Sequence, residues 1–197
     1  MVSSTVSPEH EDAAPLMARI RSGDRDAYTI LVRRYGTHIY SLARHMCGGT
    51  GEAEEIAQEV CLRLWQRPDA WNPERGSFKA WLDRVIVNAC LDQLRRRKWQ
   101  GGAVSEEWAD DKPDAVVVMQ QKEEHEAVRA ALLLLPPRQR AALLLVEYRG
   151  LGQAAAAADM GLSVDALESL LARGRRKLKE ILAPILGREG KGRHVAG

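Results

Sequence analysis

The sequence predicts an all-α protein made of two small helical domains joined by an acidic linker. Three observations carry that prediction. Apolar residues recur at spacings of three and four along most of the 197 residues, and no segment alternates with the period of two that a half-buried strand requires. Ala, Leu, Arg and Glu dominate while aromatic residues make up only 5%, a mixture that favours helix over strand. The helical pattern fails from Gln100 to Lys112, where Gly101-Gly102, a run of acidic residues and then Pro113 read as a linker.

Residues 1–14 are polar and acidic, lack the apolar core of a signal peptide and read as a disordered leader. The first domain spans 15–99. In it Leu16, Ile20, Ala27, Ile30, Leu31, Tyr35, Ile39 and Leu42 mark helices broken near Ser22-Gly23-Asp24. Gly48-Gly49-Thr50-Gly51 is a loop, and a helix follows from about 52 to 66, stopped by Pro68. Residues 71–76 form a second loop, after which Ser77 is placed to cap a helix reaching about Lys98. The linker occupies 100–113 and the second domain 114–186, with a helix to Leu135, a break at Pro136-Pro137, and a helix from Arg138 to about Tyr148. Two more helices are expected at about 152–159 and 163–183, and 187–197 reads as a flexible tail.

Composition narrows the function. Hydrophobic residues make up 45% of the chain, enough for a core in each domain, but no apolar run approaches the roughly 20 residues of a membrane span. Cys47, Cys61 and Cys90 are an odd number without a CxxC pair; Cys61 and Cys90 fall on faces expected to be buried, where cysteine acts as a small hydrophobe. Neither a disulfide nor a metal site is expected, and the chain reads as a soluble protein of a reducing cytoplasm. His10, His38, His45, His125 and His194 are scattered, and no phosphate-binding glycine loop occurs, so neither an enzyme nor a cofactor is indicated. The formal net charge is only +2, but its distribution is uneven: Arg95-Arg96-Arg97-Lys98 and the stretch from Arg173 to Lys179 are basic, while Glu106 to Asp114 is acidic.

The second domain carries a helix-turn-helix pattern. Gly161 sits between two short helical patterns and supplies the sharp turn. Ala157 is small where the helices cross, and Ala156, Met160, Leu162, Leu167 and Leu170 form a seam. Ser163 is placed to cap the second helix, which presents Asp165, Ala166, Glu168, Ser169, Ala172, Arg173 and Arg176 outward. The basic end suits phosphates, and Ser169 and Arg173 suit base edges. A plain helical hairpin with a solvated basic face is the alternative.

Two stripes stand out in the first domain. On helix 52–66 the side opposite the apolar stripe carries Glu54, Glu55, Gln58 and Glu59 together with Leu62 and Trp65. That pair either faces a protein partner or packs on a neighbouring helix, and spacing does not separate the two. The next helix buries Phe78, Trp81, Leu82, Val85 and Ala89 and aligns Arg84, Asn88, Leu91 and Arg95 on its other side. Asn88 has the paired donor and acceptor to read a base, and the arginines suit phosphates. The adjoining loop 71–78 mixes ring, amide and glycine residues suited to receiving a splayed base. An ordinary solvated helix face is again the bland reading.

Together these segments resemble the extracytoplasmic-function (ECF) class of bacterial sigma factors, in the sigma-70 superfamily. "SGDRDAYTILVRRYG", "EAEEIAQEVCLRLW", "GSFKAWLDRVIVNACLDQLRRRK" and the stretch from Leu134 to Leu182 are similar to that family's segments, in the same order, over about 15–183. The resemblance implies that 15–99 is a region 2 domain and 114–186 a region 4 helix-turn-helix domain. It implies that Glu55, Gln58, Glu59, Leu62 and Trp65 grip the β′ clamp helices of core RNA polymerase. Asn72, Arg75, Ser77, Phe78, Lys79, Arg84 and Asn88 would contact the −10 element, and Arg95, Arg96 and Arg97 the adjacent backbone. Ser163, Asp165, Glu168, Ser169, Ala172, Arg173 and Arg176 would face the −35 major groove, and the same domain would touch the β flap. The acidic linker would lie in the RNA exit path, and an anti-sigma factor would hold the chain inactive. Cys61 stands where the family signature has an aromatic, and Glu168 where many relatives carry a base-reading cation, so their −35 sequence does not transfer. Two other functions fit parts of the pattern: a sigma-like mimic that sequesters an anti-sigma factor, and a conventional helix-turn-helix regulator.

Overall fold

The computed structural model describes residues 13–99 and 119–189; the linker expected at 100–113 lies outside the described residues. Among the described residues eight α-helices run in order, α1 (Ala13–Arg21), α2 (Arg25–Cys47), α3 (Thr50–Gln66), α4 (Phe78–Trp99), α5 (Met119–Leu133), α6 (Pro137–Leu143), α7 (Gln153–Asp159) and α8 (Val164–Glu189). Short 3-10 turns at Pro68–Ala70 and Pro73–Arg75 join α3 to α4, and α6 continues as a π-helical turn, Leu144–Tyr148. Among the described residues there is no strand.

Local chemistry accounts for the breaks. Gly23 has φ +85°, its N–H donates to Ile20 O (2.9 Å) and that of Asp24 to Arg19 O (3.1 Å), the double bond of a glycine-terminated helix. Asp24 then caps α2, its carboxylate accepting from the Asp26 and Ala27 amides, and these bonds with Arg19 hold its pKa below the ordinary aspartate value. Order begins earlier than the leader boundary at 14 suggested, because Ala13 is buried and Pro15 is tolerated in a first turn that needs no intrahelical N–H. At the other end α8 runs to Glu189, past the helix end near 183 and into the expected tail.

Helices α1 to α4 form one bundle around Met17, Leu31, Ile39, Leu42, Met46, Ile56, Leu64, Leu82 and Ile86, all fully buried. Helix α4 departs from the single apolar face expected of it. Phe78, Leu82, Ile86, Val87, Ala89 and Cys90 are buried while Trp81 and Val85 are half-buried. The cause is a second neighbour: α4 packs on α2 and α3 on one side and on α6 on another.

The two predicted domains share that seam, and their apolar residues form a continuous core. Gly48, at the end of α2 with φ +88°, lets α5 approach closely; a Cβ there would lie 2.8 Å from Leu133 Cδ1. Arg140 of α6, buried, donates to Leu132 O (2.9 Å), Leu133 O (2.6 Å), Leu135 O (3.1 Å) and Met46 O. Those carbonyls belong to the C-terminal ends of α5 and α2, which an α-helix leaves without intrahelical donors. On α4, Asp83 is 1% exposed and receives His38 Nε2 of α2 (2.5 Å) and Arg149 Nε, which follows the π-turn (2.9 Å). Beside it Arg84 pairs with Asp159 at the end of α7 (3.1 Å).

Two predictions follow from this seam. Asp83→Ala strands Arg149 in the interior without its counter-charge and is expected to cost about 3–5 kcal/mol in urea unfolding; a loss under about 1 kcal/mol would contradict the seam. Burial raises the pKa of Asp159, Arg84 opposes the rise and Asp83 adds to it. The folded value exceeds the unfolded one, so this carboxylate's contribution to stability is complete at low pH and is lost as pH rises through the raised value. Carbon-detected titration should place its midpoint above the ordinary aspartate value of about 3.9, and Arg84→Ala should raise it further.

Candidate nucleic-acid and protein interfaces

The helix-turn-helix is built as its sequence suggested. Gly161 has φ +62°; its N–H donates to Ala158 O (3.2 Å) and that of Leu162 to Ala157 O (2.9 Å), ending α7 in a Schellman pattern. Ser163 Oγ accepts from the Ala166 amide at 3.2 Å and starts α8. Ala156, Ala157, Met160, Leu167 and Leu171 are buried, with Leu162 and Leu170 half-buried. Leu171 completes the seam and was absent from the expected set, although it lies four residues beyond Leu167. Gly174 is buried where α8 crosses α6, and a Cβ there would sit 3.0 Å from Leu143 Cδ1.

That packing leaves Ser163, Asp165, Glu168, Ser169, Ala172, Arg173 and Arg176 exposed along one side of α8. Ser169, Ala172, Arg173 and Arg176 line a shallow groove. Arg173 Nε donates to Ser169 O within the helix, at 3.1 Å. Arg175 instead pairs with Glu147 at the end of α6 and braces the domain. Although Arg175 and Lys177 pair with Glu147 and Glu180, the outward side of α8 keeps Arg173 and Arg176 exposed, the shape and charge that enters a major groove.

On α3 the structure divides Leu62 from Trp65. Leu62 is 52% exposed, whereas Trp65 is half-buried with its ring edge-on to Tyr28, centroids 5.3 Å apart. Glu55 and Gln58 are exposed around Leu62, and Glu55 accepts from Gln93 of α4 at 3.3 Å. Glu59 bonds Arg63 (2.5 Å) and lies 3.9 Å from Arg96, while Arg97 pairs with Glu52. The acidic face of α3 and the basic end of α4, two separate sets in the sequence, therefore form adjoining surfaces.

The loop before α4 needs correction on one point. Trp71 and Phe78 are not splayed toward solvent: both are buried, as the apolar face of α4 predicted for Phe78, and they face outward only as part of a cavity wall. Phe78 packs on Tyr35, Trp71 and Trp81 with centroids 4.9, 5.3 and 5.5 Å away, and Trp71 Nε1 donates to Gly76 O at 3.2 Å. A lone aromatic run beside a glycine does not reveal that Tyr35, far off in sequence, supplies the other wall. What remains outward is polar: Asn72, Arg75 and Ser77 are exposed and Lys79 is half-exposed. Asn72 Oδ1 accepts from the Glu74 amide (2.9 Å) and Ser77 Oγ from the Ala80 amide (3.2 Å), shaping the loop. A cavity of about 410 Å³ opens here between Tyr35, Trp71, Pro73, Ser77, Phe78 and Lys79.

Of the stripe on α4, Asn88 and Arg95 are exposed and Leu91 is half-buried. Arg95 pairs with Asp92 at 2.9 Å. Arg84 is held by Asp159 and is not free for phosphate in this arrangement.

The chain matches Sigma-70 region 2 over residues 31–100 and Sigma-70, region 4 over residues 125–178. It is 32% identical over 158 residues to the ECF RNA polymerase sigma factor SigE of Mycolicibacterium smegmatis, a match covering 78% of this chain and 60% of that one. To the ECF RNA polymerase sigma factor SigW of Bacillus subtilis it is 36% identical over 80 residues, 41% of this chain and 42% of that one. These two matches thus span less than two thirds of each relative. To the RNA polymerase sigma factor CnrH of Cupriavidus metallidurans it is 29% identical over 187 residues, 90% of this chain and 97% of that one. The structure of CnrH in complex with the cytosolic domain of CnrY superposes with a TM-score of 0.61 at 26% identity, covering 86% of this chain and 96% of that one. The sigma factor RpoE in complex with the anti-sigma factor NepR, from Bartonella quintana, shares the fold with a TM-score of 0.63 at 21% identity, covering 79% and 96%. With both sigma-70 regions matched in order, one on each side of the linker, and a likeness to CnrH along nearly its whole length, the chain belongs to the sigma-70 family, in its extracytoplasmic-function class.

Proposed function

We propose that this chain is an alternative sigma factor that binds core RNA polymerase, directs promoter-specific initiation and is restrained by an anti-sigma factor. The observation that carries this reading is the pairing, on one chain, of two separate nucleic-acid surfaces with a third face of different chemistry. The outward stripe of α8 suits a major groove; the loop from Asn72 to Lys79 with Asn88 suits unstacked bases; α3 offers carboxylates around an exposed leucine. Glu55, Gln58, Glu59, Leu62 and the edge of Trp65 dock the β′ clamp helices. Asn72, Arg75, Ser77, Lys79 and Asn88 contact the −10 strand, with buried Phe78 supporting the loop from beneath. Ser163, Asp165, Glu168, Ser169, Ala172, Arg173 and Arg176 face the −35 groove, and the same domain meets the β flap. The anti-sigma assignment draws on the NepR complex of RpoE.

Arg84, Arg95, Arg96 and Arg97 reach phosphate by exchanging partners. Each now pairs with a carboxylate of the chain itself. Exposed ion pairs are worth about 0.2–1 kcal/mol, so DNA phosphates replace those of Arg95 and Arg96 at little cost, while Arg84 and Arg97 leave the more enclosed Asp159 and Glu52. The role is one of binding and calls for no catalysis. It belongs in the cytoplasm, where polymerase works; among the described residues no helix is long and apolar enough to cross a membrane.

Titration of the labelled protein with core polymerase tests the reading. Leu62→Glu is expected to weaken core binding at least about tenfold while the fold is kept. Asn88→Ala should bind core like the parent yet fail to open promoter DNA, read by permanganate reactivity of the −10 thymines. Unchanged core binding by a folded Leu62→Glu variant would remove the α3 assignment. Tight binding to duplex promoter DNA without polymerase would favour a conventional regulator, and binding to an anti-sigma factor without binding to core would favour a mimic.

A further inference from the structure

The seam covers part of the surface proposed above to meet the −10 strand. Consecutive residues of α4 hold both ends of the first helix of the helix-turn-helix. Asp83 accepts from Arg149, just ahead of α7, at 2.9 Å, and Arg84 pairs with Asp159, the last residue of α7, at 3.1 Å. The two pairs are crossed in sign, so a shift of one residue along α4 would set like charges together, and α7 seats in a single register. Arg84 lies one helical turn before Asn88 on the same stripe. The Asp159 carboxylate, 13% exposed, therefore sits on a cation of the −10 stripe, where a phosphate oxygen would bind. Other contacts hold the same arrangement. Arg140 reaches the Met46 carbonyl, Arg129 of α5 donates to Gly48 O at 3.3 Å, and the ring of His45 on α2 lies 5.1 Å from that of Tyr148 in the π-turn.

Closure also sets the two DNA surfaces too near each other. Helix α6 touches α4 on one side and α8 on the other, so a single helix layer, about 10 Å thick, lies between the two stripes. Helices α4 and α8, of 22 and 26 residues, are themselves only about 33 and 39 Å long. Elements named for positions −10 and −35 stand about 25 base pairs apart, which is about 85 Å of duplex at about 3.4 Å per pair. The closed chain falls short of that span. We infer that the seam is an autoinhibitory lock: in the chain alone Asp159 occupies Arg84 in place of a DNA phosphate, and promoter engagement requires α7 to leave α4. The inference rests on the sigma-factor reading, and the restraint it describes acts before any second protein binds. Opening the lock exposes polar groups to water and frees a cation that DNA takes up, so nucleic acid and Asp159 compete for one guanidinium. A ligand that binds only the open form shifts the equilibrium toward it; core polymerase does so by seating the two domains on separate subunits.

Two measurements on the full chain, without polymerase, test the lock. In Arg84→Lys the introduced amine keeps the charge and is joined by a zero-length carbodiimide to whichever carboxylate it touches. Peptide mapping should find it joined to Asp159. Anisotropy of a fluorescein-labelled single-stranded oligonucleotide measures the competition itself. Asp159→Asn is expected to bind the oligonucleotide about three- to tenfold more tightly than the parent. The same substitution added to Arg84→Ala should gain less than about twofold over Arg84→Ala alone, because the cation it frees is gone. A folded Arg84→Lys chain without the Asp159 cross-link, or no gain for Asp159→Asn, would overturn the lock. So would an equal gain in the two backgrounds, which would mark a mere change of net charge. Each of these outcomes is compatible with successful run-off transcription by core polymerase, so the lock and the sigma role are judged separately.

Discussion

A single guanidinium closes two helix ends, and the relative placement of the two halves depends on it. Helices α2 and α5 both stop at the same point in space, each leaving carbonyls without intrahelical donors. Arg140 supplies donors to both sets at once. The arrangement demands that α5 come close to the end of α2, which Gly48 permits by having no side chain and a positive φ. Burial pulls the Arg140 pKa down to about 10, which still leaves it charged near neutral pH. Once α6 is seated, the π-turn carries Arg149 onto Asp83, and α7 brings Asp159 to Arg84.

Such a seam fixes register more than it adds stability. Desolvating charges offsets much of what their attraction returns, and when the halves separate water can solvate every one of these groups. The contacts across the seam are thus specific without requiring a large net energy. One of them occupies the charge of Arg84, which Asp159 holds while the halves are together. The α8 stripe is spared, because α8 packs on α5, α6 and α7 through its opposite side.

What the sequence made legible was local. The helix-turn-helix was readable because its determinants are short-range: a glycine that must take a positive φ, a serine that must cap, and an apolar period along α7 and α8. The exposed set on α8 follows from that period alone. Asp83, Arg140 and Asp159 escaped notice, since Asp83 meets partners 45 and 66 residues away, Arg140 reaches Met46 across 94 residues and Asp159 pairs with the equally remote Arg84, and no spacing along the chain announces these pairs. The same long-range packing explains Phe78 and Trp71. Their types suit a base-stacking loop, but Phe78 packs between Tyr35, Trp71 and Trp81. Helix α4 looked one-faced because its second neighbour comes from the other domain. Leu62 and Trp65 could not be separated by spacing, and only the position of Tyr28 distinguishes them.

The sigma role is tested most directly by run-off transcription with purified core RNA polymerase on a library of upstream fragments, with and without this protein. The prediction is a set of discrete new transcripts that appear only when the protein is present and whose start sites share −10 and −35 elements. No new transcript from folded protein free of any inhibitor would contradict it.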